Sequence, residues 1–466
     1  MRGRLPPTIR QLLSPQYPTA NLKIEVNGWV KSVRRQKNVA FAVISDGSSR
    51  EGLQAVLTDR TMASKLVNGA SVRLLGQLSR SPGPAQEKEL QVTEVEVLGE
   101  CDPDLYPIQK QNLTPDYLRE HCELRARVND MGAMLRVRDI LTKAIHSYFE
   151  GQSFHCVHTP IITSNDCEGA GEAFALTPIP SSSPPVDAEP ATRHFFSVPA
   201  YLTVSSQLHL EAVATSLSRV YTLSPAFRAE RSQTNRHLAE FWMLEAEWQF
   251  TRSLDDICGL VEDMTKTILG AAKDDNDVHD FMGKTEGRQF IDAIDRSWSK
   301  VTYTEAVREL EKHHTSTTGS KFTFQPAWGR PLQSEHERWL ADHAFRGPVF
   351  VTDYPAILKP FYMRSNEDSS NPNLCTVACF DLLIPGRGEL AGGSLREERL
   401  PVLDRALEKN GLSGENYGWY RNIRKFGGAP HGGFGMGFER LLSYVTGIEN
   451  VRECIAAPRW AGRILL

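Results

Sequence analysis

The sequence predicts an α+β protein in which a small β-barrel precedes a larger domain of strands and helices. Three observations carry this prediction. About five short strands follow one another between residues 22 and 99. Two runs with the two-residue period of a β-strand flank a basic loop between Phe227 and Phe250. Four glycines between Gly432 and Gly437 lead directly into a helix-forming segment.

The composition is that of an ordinary globular chain. Of its residues, 40% are hydrophobic and 24% are charged. Its length of 466 residues is enough for two or three domains. There is no apolar run of about 18 residues, so the sequence predicts no membrane-spanning helix. The net charge is −4, but residues 1–100 hold 14 Lys and Arg against 9 Asp and Glu, a balance of +5 that leaves −9 for the rest. This asymmetry favours an RNA contact in the N-terminal domain.

Cysteine usage points to a reducing compartment. The eight cysteines are scattered, and the closest two, Cys375 and Cys379, do not form a C-x-x-C pair. This spacing predicts neither a disulfide framework nor a zinc site.

Residues 1–20 form an N-terminal extension with two possible interpretations. The first 24 residues hold Arg2, Arg4, Arg10 and Lys23 and no acidic side chain. They could be a short mitochondrial presequence or a flexible basic arm on the RNA-binding domain. Four prolines within this stretch would interrupt the amphipathic helix of a presequence.

The predicted barrel domain spans residues 21–100. Five short strands with turn residues between them, in fewer than 80 residues, favour a small closed barrel. Single-stranded RNA on such a barrel needs a basic groove and an aromatic platform. Arg34, Arg35 and Lys37 supply the charge, and Phe41 is the candidate platform. The alternative for Phe41 is an ordinary aromatic side chain of the barrel core.

Three further segments complete the predicted organisation. Residues 101–130 have prolines, mixed charge and weak periodicity, and we expect a linker. Residues 131–466 form the larger domain, and residues 178–190 are a low-complexity insertion within it. An amphipathic helix is predicted for residues 253–273, with a packing role only.

The segment from Phe227 to Phe250 predicts a functional sheet face. Its second half alternates apolar residues with residues that include Glu245 and Glu247, as a strand with one carboxylate-bearing face would. Arg228 and Glu230 lie two apart, so we expect both on one side of the preceding strand. Together with Phe241, these residues could hold an anion, an amine and a flat ring. A purely structural ladder of salt bridges is the alternative.

Together this segment and the glycine-rich stretch resemble motifs 2 and 3 of the class II aminoacyl-tRNA synthetases. The sequences HLAEFWM and GGFGMGFER are most similar to those of the asparaginyl branch. The second places Arg440 in the first turn of a helix. A match to motif 1 lies upstream, in a helix that leads into a segment with a proline. Its residues are Leu135, Arg138, Leu141, Ile145, Gly151 and Pro160.

The resemblance implies an OB-fold barrel followed by a class II catalytic domain, an antiparallel sheet flanked by helices. It implies ATP-dependent attachment of L-asparagine to tRNA(Asn) through an adenylate, with Mg²⁺ as cofactor. It also implies a homodimer formed through motif 1, with Pro160 at the interface. Because the sequence resembles the organellar enzymes more than the cytosolic ones, we expect the protein in the mitochondrial matrix rather than in the cytoplasm.

The resemblance also assigns the ATP-binding residues. Arg228 matches the arginine that contacts the substrate carboxylate and the α-phosphate, and Glu230 matches an adenine-side glutamate. Phe241 and Arg440 match the pair that sandwiches adenine. Arg228, Arg440 and Glu389 are therefore the expected catalytic residues.

Further ATP-site residues follow from the same comparison. Arg236 and His237 match positions near the γ-phosphate or the incoming tRNA end. Glu389 matches a magnesium ligand and Asp381 a second one, although their spacing of eight differs from the seven of some aspartate-specific relatives. Without the resemblance, Glu389 would read as a solvated turn carboxylate.

In the amino-acid pocket, Glu168, Gln207 and Glu245 match residues around the α-amino group and side chain, and Arg396 matches the arginine that reads the side-chain oxygen. We expect Glu245 to accept the amide NH₂ and to repel an aspartate oxygen. On the barrel, Arg34, Phe41 and Gln54 match anticodon contacts, with two extra residues between Phe41 and Gln54 relative to some relatives.

Three rival functions stay open. The first is an aspartyl or non-discriminating synthetase, against which HLAEFWM, Phe434 and Phe438 argue. The second is a free-standing asparagine synthetase on the same fold, which would not need the N-terminal barrel. The third is a catalytically inactive RNA-binding paralogue, which would not need to keep Arg228, Glu389 and Arg440.

Overall fold

The protein is described here by a computed structural model covering residues 5–19, 23–83, 86–164, 173–178, 194–283, 289–316, 321–366, 375–412 and 415–466. The chain divides into two compact units. The first comprises Met1–Arg136 and Leu465–Leu466, and the second comprises Val137–Ile464. The division falls inside one helix, α5 (Asn129–Gly151), a few residues after the predicted boundary. Arg136 lies at the end of the first unit in this helix, and its Nη1 donates to the Gly47 carbonyl of the same unit at 2.7 Å.

The first unit contains a closed barrel of five strands in the order β1-β2-β3-β5-β4, with the parallel pair β3–β5. This confirms the predicted OB-type barrel. Its strands are β1 (Lys23–Arg35), β2 (Ala40–Ser45), β3 (Leu53–Leu57), β4 (Ser71–Arg80) and β5 (Lys88–Gly99). Its short helices are α1 (Ile9–Leu13), α2 (Arg60–Ser64), α3 (Pro115–Glu120) and α4 (Cys122–Arg125), the last two in the predicted linker.

Helix α1 corrects the expectation of a flexible arm. Its Ile9 and Leu12 are fully buried in the barrel core. The Thr8 side chain and Gln11 form a capping box at its start. Lys88, itself buried, caps the other end by donating to the carbonyls of Leu12, Ser14 and Tyr17 at 2.6–3.0 Å. These residues are therefore an integral part of the barrel.

The second unit is built on an eight-stranded sheet in the order β11-β12-β13-β14-β15-β10-β9-β6. The six central strands are antiparallel as predicted. The outermost strands, β6 and β11, each run parallel to their one neighbour, β9 and β12 respectively. The strands are β6 (His155–Cys156), β9 (Arg219–Phe227), β10 (Glu240–Gln249), β11 (Ser299–Thr302), β12 (Val349–Thr352), β13 (Cys379–Ile384), β14 (Gly388–Leu395) and β15 (His431–Gly437). A separate pair is formed by β7 (Ile162–Thr163) and β8 (Tyr201–Leu202).

Helices pack around this sheet. They are α5, α6 (Gln207–Leu217), α7 (Leu254–Ala272), α8 (Asn276–Met282), α9 (Gln289–Asp295), α10 (Tyr303–Thr315), α11 (Ser334–Trp339), α12 (Leu400–Lys409), α13 (Gly418–Lys425) and α14 (Phe438–Thr446). Single turns of other helix types span Leu340–Ala344, Ala356–Leu358, Glu415–Tyr417 and Val451–Glu453. Helix α7 confirms the predicted amphipathic helix. Within the described ranges, no helix is both long and apolar enough to cross a membrane.

Strand β10 confirms the predicted alternation. Leu244, Ala246 and Trp248 are buried on one face, and Glu245 and Glu247 lie on the opposite face. The first predicted strand needs a correction, because β9 ends at Phe227 and leaves Arg228 and Glu230 in the following loop. The backbone pairing nonetheless continues by one residue, since the Arg228 N–H donates to the Ala239 carbonyl at 3.0 Å.

The glycine-rich stretch forms strand β15, between β10 and β14. A side chain at Gly433 would place its Cβ 2.2 Å from the Ala246 carbonyl oxygen and from Glu247 Oε2. Glycine is therefore required there so that the Glu247 carboxylate fits between the strands. Helix α14 begins immediately after this strand, and Arg440 lies in its first turn as predicted.

Candidate active site

A cavity of about 350 Å³ opens on the carboxylate-bearing face of the sheet in the second unit. It brings together nearly all of the predicted catalytic-domain residues. Those that line it are Gln207, Arg228, Glu230, Arg236, His237, Phe241, Glu245, Asp381, Glu389, Arg396 and Arg440. Glu168 and most of the predicted 178–190 insertion lie outside the described residues.

One end of the cavity is formed by the loop after β9. The Arg228 guanidinium lies 5.6 Å from the centre of the Phe241 ring and 3.9 Å from a Glu230 oxygen. Their side chains are 28% and 24% exposed, so this ion pair is loose and still accessible to solvent. The arginine therefore lies beside the ring in a part of the cavity that solvent can reach.

His237 connects this loop to Glu230. Its Nε2 lies 3.2 Å from the Glu230 carboxylate, and its Nδ1 lies 2.5 Å from the Thr234 hydroxyl. Burial lowers the pKa of His237, Glu230 opposes that shift, and the nearby arginines, Arg440 first, reinforce it. A lowered pKa keeps the imidazole neutral near pH 7, so it serves as a hydrogen-bonding group there.

Arg236 is held by a residue that the sequence analysis did not identify. Its guanidinium donates to the Ser334 hydroxyl at 2.6 Å and to Glu337 Oε2 at 3.4 Å. The same Glu337 oxygen accepts from the Glu389 N–H at 3.3 Å. Helix α11 therefore ties the loop after β9 to the predicted magnesium ligand. Burial, followed by the charge of Glu389, raises the pKa of Glu337.

The two predicted metal ligands lie side by side but have different partners. Glu389 accepts from Arg440 Nη1 at 3.3 Å, whereas both Asp381 oxygens accept from Lys359 Nζ at 2.7 and 2.8 Å. Oxygens of both carboxylates converge above Gly392, within 3.3 and 3.6 Å of the place a Cβ would take. Convergent carboxylate oxygens suit a hard cation such as Mg²⁺, so the donor set fits the group that the resemblance implies.

Neighbouring charges determine how these carboxylates ionise. Burial raises the pKa of Asp381, although Lys359 opposes that shift. Burial would also raise the pKa of Glu389, but the positive charges around it, led by Arg440 and Lys359, lower it overall. Glu389 is thus the more readily ionised of the two.

Glu245 lies deeper in the cavity and is anchored to the start of α6. Its oxygens accept from the Ser206 N–H at 2.9 and 3.1 Å and from the Ser205 hydroxyl. The side chain is 3% exposed, and burial raises its pKa. Its lone pairs are therefore already partly used by the protein.

The carboxylate bonded to Arg396 is that of Glu247. Nε and Nη2 of Arg396 donate to Glu247 at 2.9–3.3 Å, and Nη1 donates to Ser394 Oγ at 2.7 Å. Both members of the ion pair are almost fully buried at the floor of the cavity, and the guanidinium lies 5.4 Å from the Tyr362 ring centre. Paired guanidinium and carboxylate groups offer a donor and an acceptor next to one another.

The C-terminal segment supports the loop after β9 from outside. The Val451 N–H donates to the Asn235 carbonyl at 3.0 Å, and the Ala239 N–H donates to the Arg459 carbonyl at 2.7 Å. Arg452 donates to two loop carbonyls at 3.3 and 3.4 Å and lies 4.6 Å from the Trp460 ring centre. These contacts fix the path of the loop that carries Arg236 and His237.

In the first unit, Arg34, Phe41 and Gln54 share the outer surface of the barrel. Arg34 and Phe41 are cross-strand neighbours on β1 and β2, and the half-buried Phe41 faces outward between buried alanines. Gln54 donates to Glu89 at 3.1 Å, and Glu89 also accepts from Gln91 at 2.8 Å. Phe41 is therefore not a core side chain, and Glu89 is a polar neighbour that the sequence analysis missed.

The segment that matches motif 1 presents an exposed apolar edge. Pro160 is exposed, and Ile161 and Ile162 are 41% and 46% exposed. On the preceding helix, Arg138 donates to Glu439 of α14 at 2.7 Å. This ion pair joins the helix of motif 1 to the helix that carries Arg440.

The sequence patterns that could have identified the remaining residues around the cavity differ in strength. Glu247 shares a strand face with Glu245, and Glu211 follows Gln207 by one helical turn, so alternation and helical spacing could have found both. Lys359 and Glu337 lie in segments with no pattern of their own. Their roles depend on contacts with residues far away in the sequence.

Comparisons with known proteins agree with this geometry. The family described as tRNA synthetases class II (D, K and N) matches residues 115–461, and the OB-fold nucleic acid binding domain matches residues 24–98. An asparaginyl-tRNA synthetase of Mus musculus is 44% identical over 449 residues, which cover 95% of this chain and 91% of the relative.

Two further relatives extend the similarity to nearly the full length. A mitochondrial asparagine–tRNA ligase of Schizosaccharomyces pombe is 44% identical over 465 residues, 99% of each chain. The crystal structure of asparaginyl-tRNA synthetase from Pyrococcus horikoshii complexed with asparaginyl-adenylate has a TM-score of 0.86 and 27% identity. That match covers 99% of this chain and 100% of the other.

Proposed function

The chain belongs to the asparaginyl-tRNA synthetases, a branch of the class II tRNA synthetases, and we propose that the cavity of its second unit carries both steps of asparagine ligation to tRNA(Asn). In the first step the asparagine carboxylate attacks the α-phosphate of ATP, which yields an adenylate and pyrophosphate. In the second, a terminal ribose hydroxyl of the tRNA attacks the adenylate carbonyl. The observation that carries the proposal is the Arg396–Glu247 pair on the cavity floor.

An amide side chain matches this pair because it has one acceptor oxygen and one donor NH₂. Arg396 offers N–H groups to the oxygen, and Glu247 offers an acceptor beside it. Aspartate would place a second oxygen against a carboxylate, and the site would reject it by repulsion and by an unpaired buried group. Glu245, predicted to accept the amide NH₂, is bonded to Ser205 and Ser206, and we therefore propose Glu247 as the acceptor of the amide and Glu245 as a neighbour of the α-amino group.

Activation of the amino acid depends mainly on positioning and charge neutralisation, since no covalent enzyme intermediate is needed. Arg228 would bridge the asparagine carboxylate and the α-phosphate, where negative charge concentrates as they approach. Phe241 and Arg440 would hold the adenine between them. Arg236 and His237 would contact the γ-phosphate or the tRNA end, which requires Arg236 to exchange Glu337 for a ligand.

Mg²⁺ would be held by Glu389 and Asp381, and it would neutralise phosphate oxygens during the attack. Lys359 opposes the rise in the pKa of Asp381 that burial causes, and it holds this carboxylate in place by donating to both of its oxygens. Arg440 does the same for Glu389, whose backbone carbonyl also accepts from Arg440 Nη1 at 3.0 Å. The chain's own cations therefore keep both carboxylates poised for the metal.

The tRNA would contact the outer face of the barrel, with an anticodon base stacked on Phe41 and polar contacts from Arg34, Gln54 and Glu89. We also propose a homodimer through the exposed edge around Pro160, which would cover Ile161 and Ile162.

We propose that the protein acts in mitochondria, in keeping with the basic N-terminal residues and the mitochondrial relative from Schizosaccharomyces pombe. Cleavage within α1 would remove two buried side chains from the barrel core. We therefore expect the mature protein to retain residues from Thr8 onward, which mass spectrometry of the purified mitochondrial protein would test.

The proposed function is tested by ATP–pyrophosphate exchange with the purified protein and each standard amino acid. We expect exchange with asparagine and little with aspartate. Exchange with aspartate would indicate an aspartyl or non-discriminating synthetase instead. The lack of exchange with every amino acid, from folded protein, would support the inactive paralogue.

A further inference from the structure

A second layer of charged residues lies directly behind the cavity floor. Its centre is Glu211 on α6, which is fully buried. Glu211 Oε2 accepts from Arg424 Nη2 at 2.6 Å and from the Tyr420 hydroxyl at 2.8 Å. Its other oxygen accepts from Gln207 Nε2 at 3.1 Å. None of Glu211, Tyr420 and Arg424 lines the cavity itself.

This layer is electrically coupled to the floor. The nearest atoms of Arg396 and Glu211 are 4.0 Å apart, while Arg396 also pairs with Glu247. Arg424 is fully buried and bonded to Glu211, so the two carboxylates face two guanidinium groups. In a site with so little water, unit charges a few ångströms apart interact strongly. The net charge of this group of four therefore bears on what can bind at the floor.

His431 is bonded to the same layer. Its Nε2 lies 3.0 Å from Glu211 Oε2 and 3.3 Å from Arg424 Nη2, and its Nδ1 lies 2.7 Å from the Ala429 carbonyl. Beside this ring, the guanidinium groups of Arg396 and Arg424 face the carboxylates of Glu211 and Glu247. Removing the charge of Glu211 or of Arg424 therefore changes the net charge of the cluster by one unit, in opposite directions.

The same cluster has the spacing of a metal site, because ligand atoms of Glu211, Glu247 and His431 lie within 4.8 Å of one another. Here, however, Arg396 and Arg424 already supply the positive charge that a metal ion would bring, and both are hydrogen-bonded to these carboxylates. We therefore interpret the cluster as an ion-pair network and not as a metal site.

Glu211 also orients a residue of the cavity. Because Gln207 uses its Nε2 to donate to Glu211, its Oε1 is the group that it offers to a ligand. An acceptor at that position favours the α-ammonium or the amide NH₂ of asparagine. Glutamine in place of Glu211 would no longer require this orientation.

We propose that Glu211 is a specificity-determining residue that acts from behind the cavity floor. This proposal rests on the asparagine-ligase function proposed above. With Glu211 ionised, its carboxylate and that of Glu247 offset the two guanidinium groups, and the floor accepts the neutral amide of asparagine. Loss of its charge leaves one guanidinium in excess, and the floor then favours the carboxylate of aspartate. Glu211 touches no substrate atom and acts through Arg396, Arg424 and Gln207.

The test measures kcat/KM in pyrophosphate exchange for asparagine and for aspartate, and reports their ratio. Glu211→Gln should lower the asparagine preference by about tenfold or more, as expected for an uncompensated charge near the ligand. Arg424→Gln removes a positive charge instead and should raise the preference. The double variant Glu211→Gln/Arg424→Gln restores the balance and should return the ratio to within about threefold of the unmodified protein.

Two controls separate charge from general damage. Glu397→Gln alters another carboxylate that is 1% exposed and paired with an arginine, Arg399 at 2.7 Å, and it should leave the ratio unchanged. Tyr420→Phe removes one hydrogen bond to Glu211 without removing charge, and it should change the ratio by less than Glu211→Gln.

The inference is overturned if both single variants keep the ratio of the unmodified protein, or if both shift it in the same direction. If neither single variant folds, the double variant decides, and a shift of about tenfold in its ratio contradicts the charge balance. Absence of asparagine exchange by the unmodified protein would instead overturn the proposed function, and this inference with it.

Discussion

The two ends of the cavity are built in different ways. At the ATP end, Arg228, Glu230 and His237 are about one quarter to one third exposed, and their ion pairs measure 3.2–3.9 Å. At the floor and directly behind it, Arg396, Glu247 and Glu211 are at most 3% exposed and are held by charged hydrogen bonds as short as 2.6 Å. The ATP end is accessible to solvent and its ion pairs are long, whereas the floor is buried and its ion pairs are shorter.

This difference suggests a division of labour. Groups that must take up a triphosphate and release pyrophosphate cannot be locked to partners, because each locked contact would have to be broken on every turnover. Groups that distinguish an amide from a carboxylate gain from rigidity, because a floor that could move would adapt to the wrong side chain. The floor is thus preformed, and the ATP end is completed by its ligand.

The sharpest test of this contrast compares one carboxylate from each end. Glu247→Ala leaves the buried Arg396 without its main partner and should lower the free energy of unfolding by about 3–5 kcal/mol. The matched variant Glu230→Ala, at the open end, should cost about 1 kcal/mol or less. Denaturant unfolding measures both values. Equal costs for the two variants would remove the distinction between the ends.

The next largest effect is expected at the ATP end itself. Arg228→Ala should lower asparagine-dependent pyrophosphate exchange by about a hundredfold to a thousandfold, the range for a single preorganised charge-stabilising donor. Its melting temperature should stay close to that of the unmodified protein because the side chain is loosely paired. Arg231→Ala, an exposed arginine of the same loop, serves as the control. Unchanged exchange in Arg228→Ala would remove its assigned role.

Phe41→Ala provides a reference outside the cavity. Loss of a stacking platform should weaken tRNA charging by about tenfold, in line with the free energy of base–aromatic stacking. Exchange without tRNA should not change, since the barrel takes no part in adenylate formation. The two assays on one preparation separate these steps. An equal loss in both would contradict the assignment of Phe41 to the anticodon.

The smallest effect is expected for the C-terminal support of the loop. Arg452→Gln removes two long hydrogen bonds to loop carbonyls, at 3.3 and 3.4 Å, and should raise the KM for ATP by about threefold to tenfold. The preference for asparagine over aspartate should not change, because the floor lies on other elements. Fluorescence of Trp460, which Arg452 contacts, reports whether the support has loosened. A change in the preference would couple the two ends and contradict their independence.

Local patterns predicted part of the ATP end, and the resemblance to the class II synthetases supplied Arg236, His237 and Glu389. Alternation in β10 correctly places Phe241 and Glu245 on one face, and the helix-forming segment after the glycines places Arg440 in a first turn. The end of β9 was wrong by a few residues, because the loop backbone there is taken up by the C-terminal segment, through the bond from Ala239 to Arg459. Such a partner leaves no trace in the loop's own sequence.

The floor could not be predicted in the same way. Glu211 and His431 are 220 residues apart in the sequence, and Arg396 and Arg424 come from two further segments. Periodicity indicates which face a side chain occupies, but it does not indicate which distant side chain it meets. Strand β15 is a related case, since glycine disfavours strands, and the need for Gly433 comes from the Ala246 carbonyl and the Glu247 carboxylate of a strand far away in the sequence.

Hydrogen exchange of the backbone amides, with and without a non-hydrolysable analogue of asparaginyl-adenylate, tests the contrast between the two ends most directly. We predict that the loop of residues 228–239 exchanges quickly in the free protein and becomes protected on binding. The amides of β10 around Glu245 and Glu247 should be protected already and should change little. Fast exchange in this part of β10 in the free protein, with protection only on binding, would show that the floor is not preformed and would contradict the account.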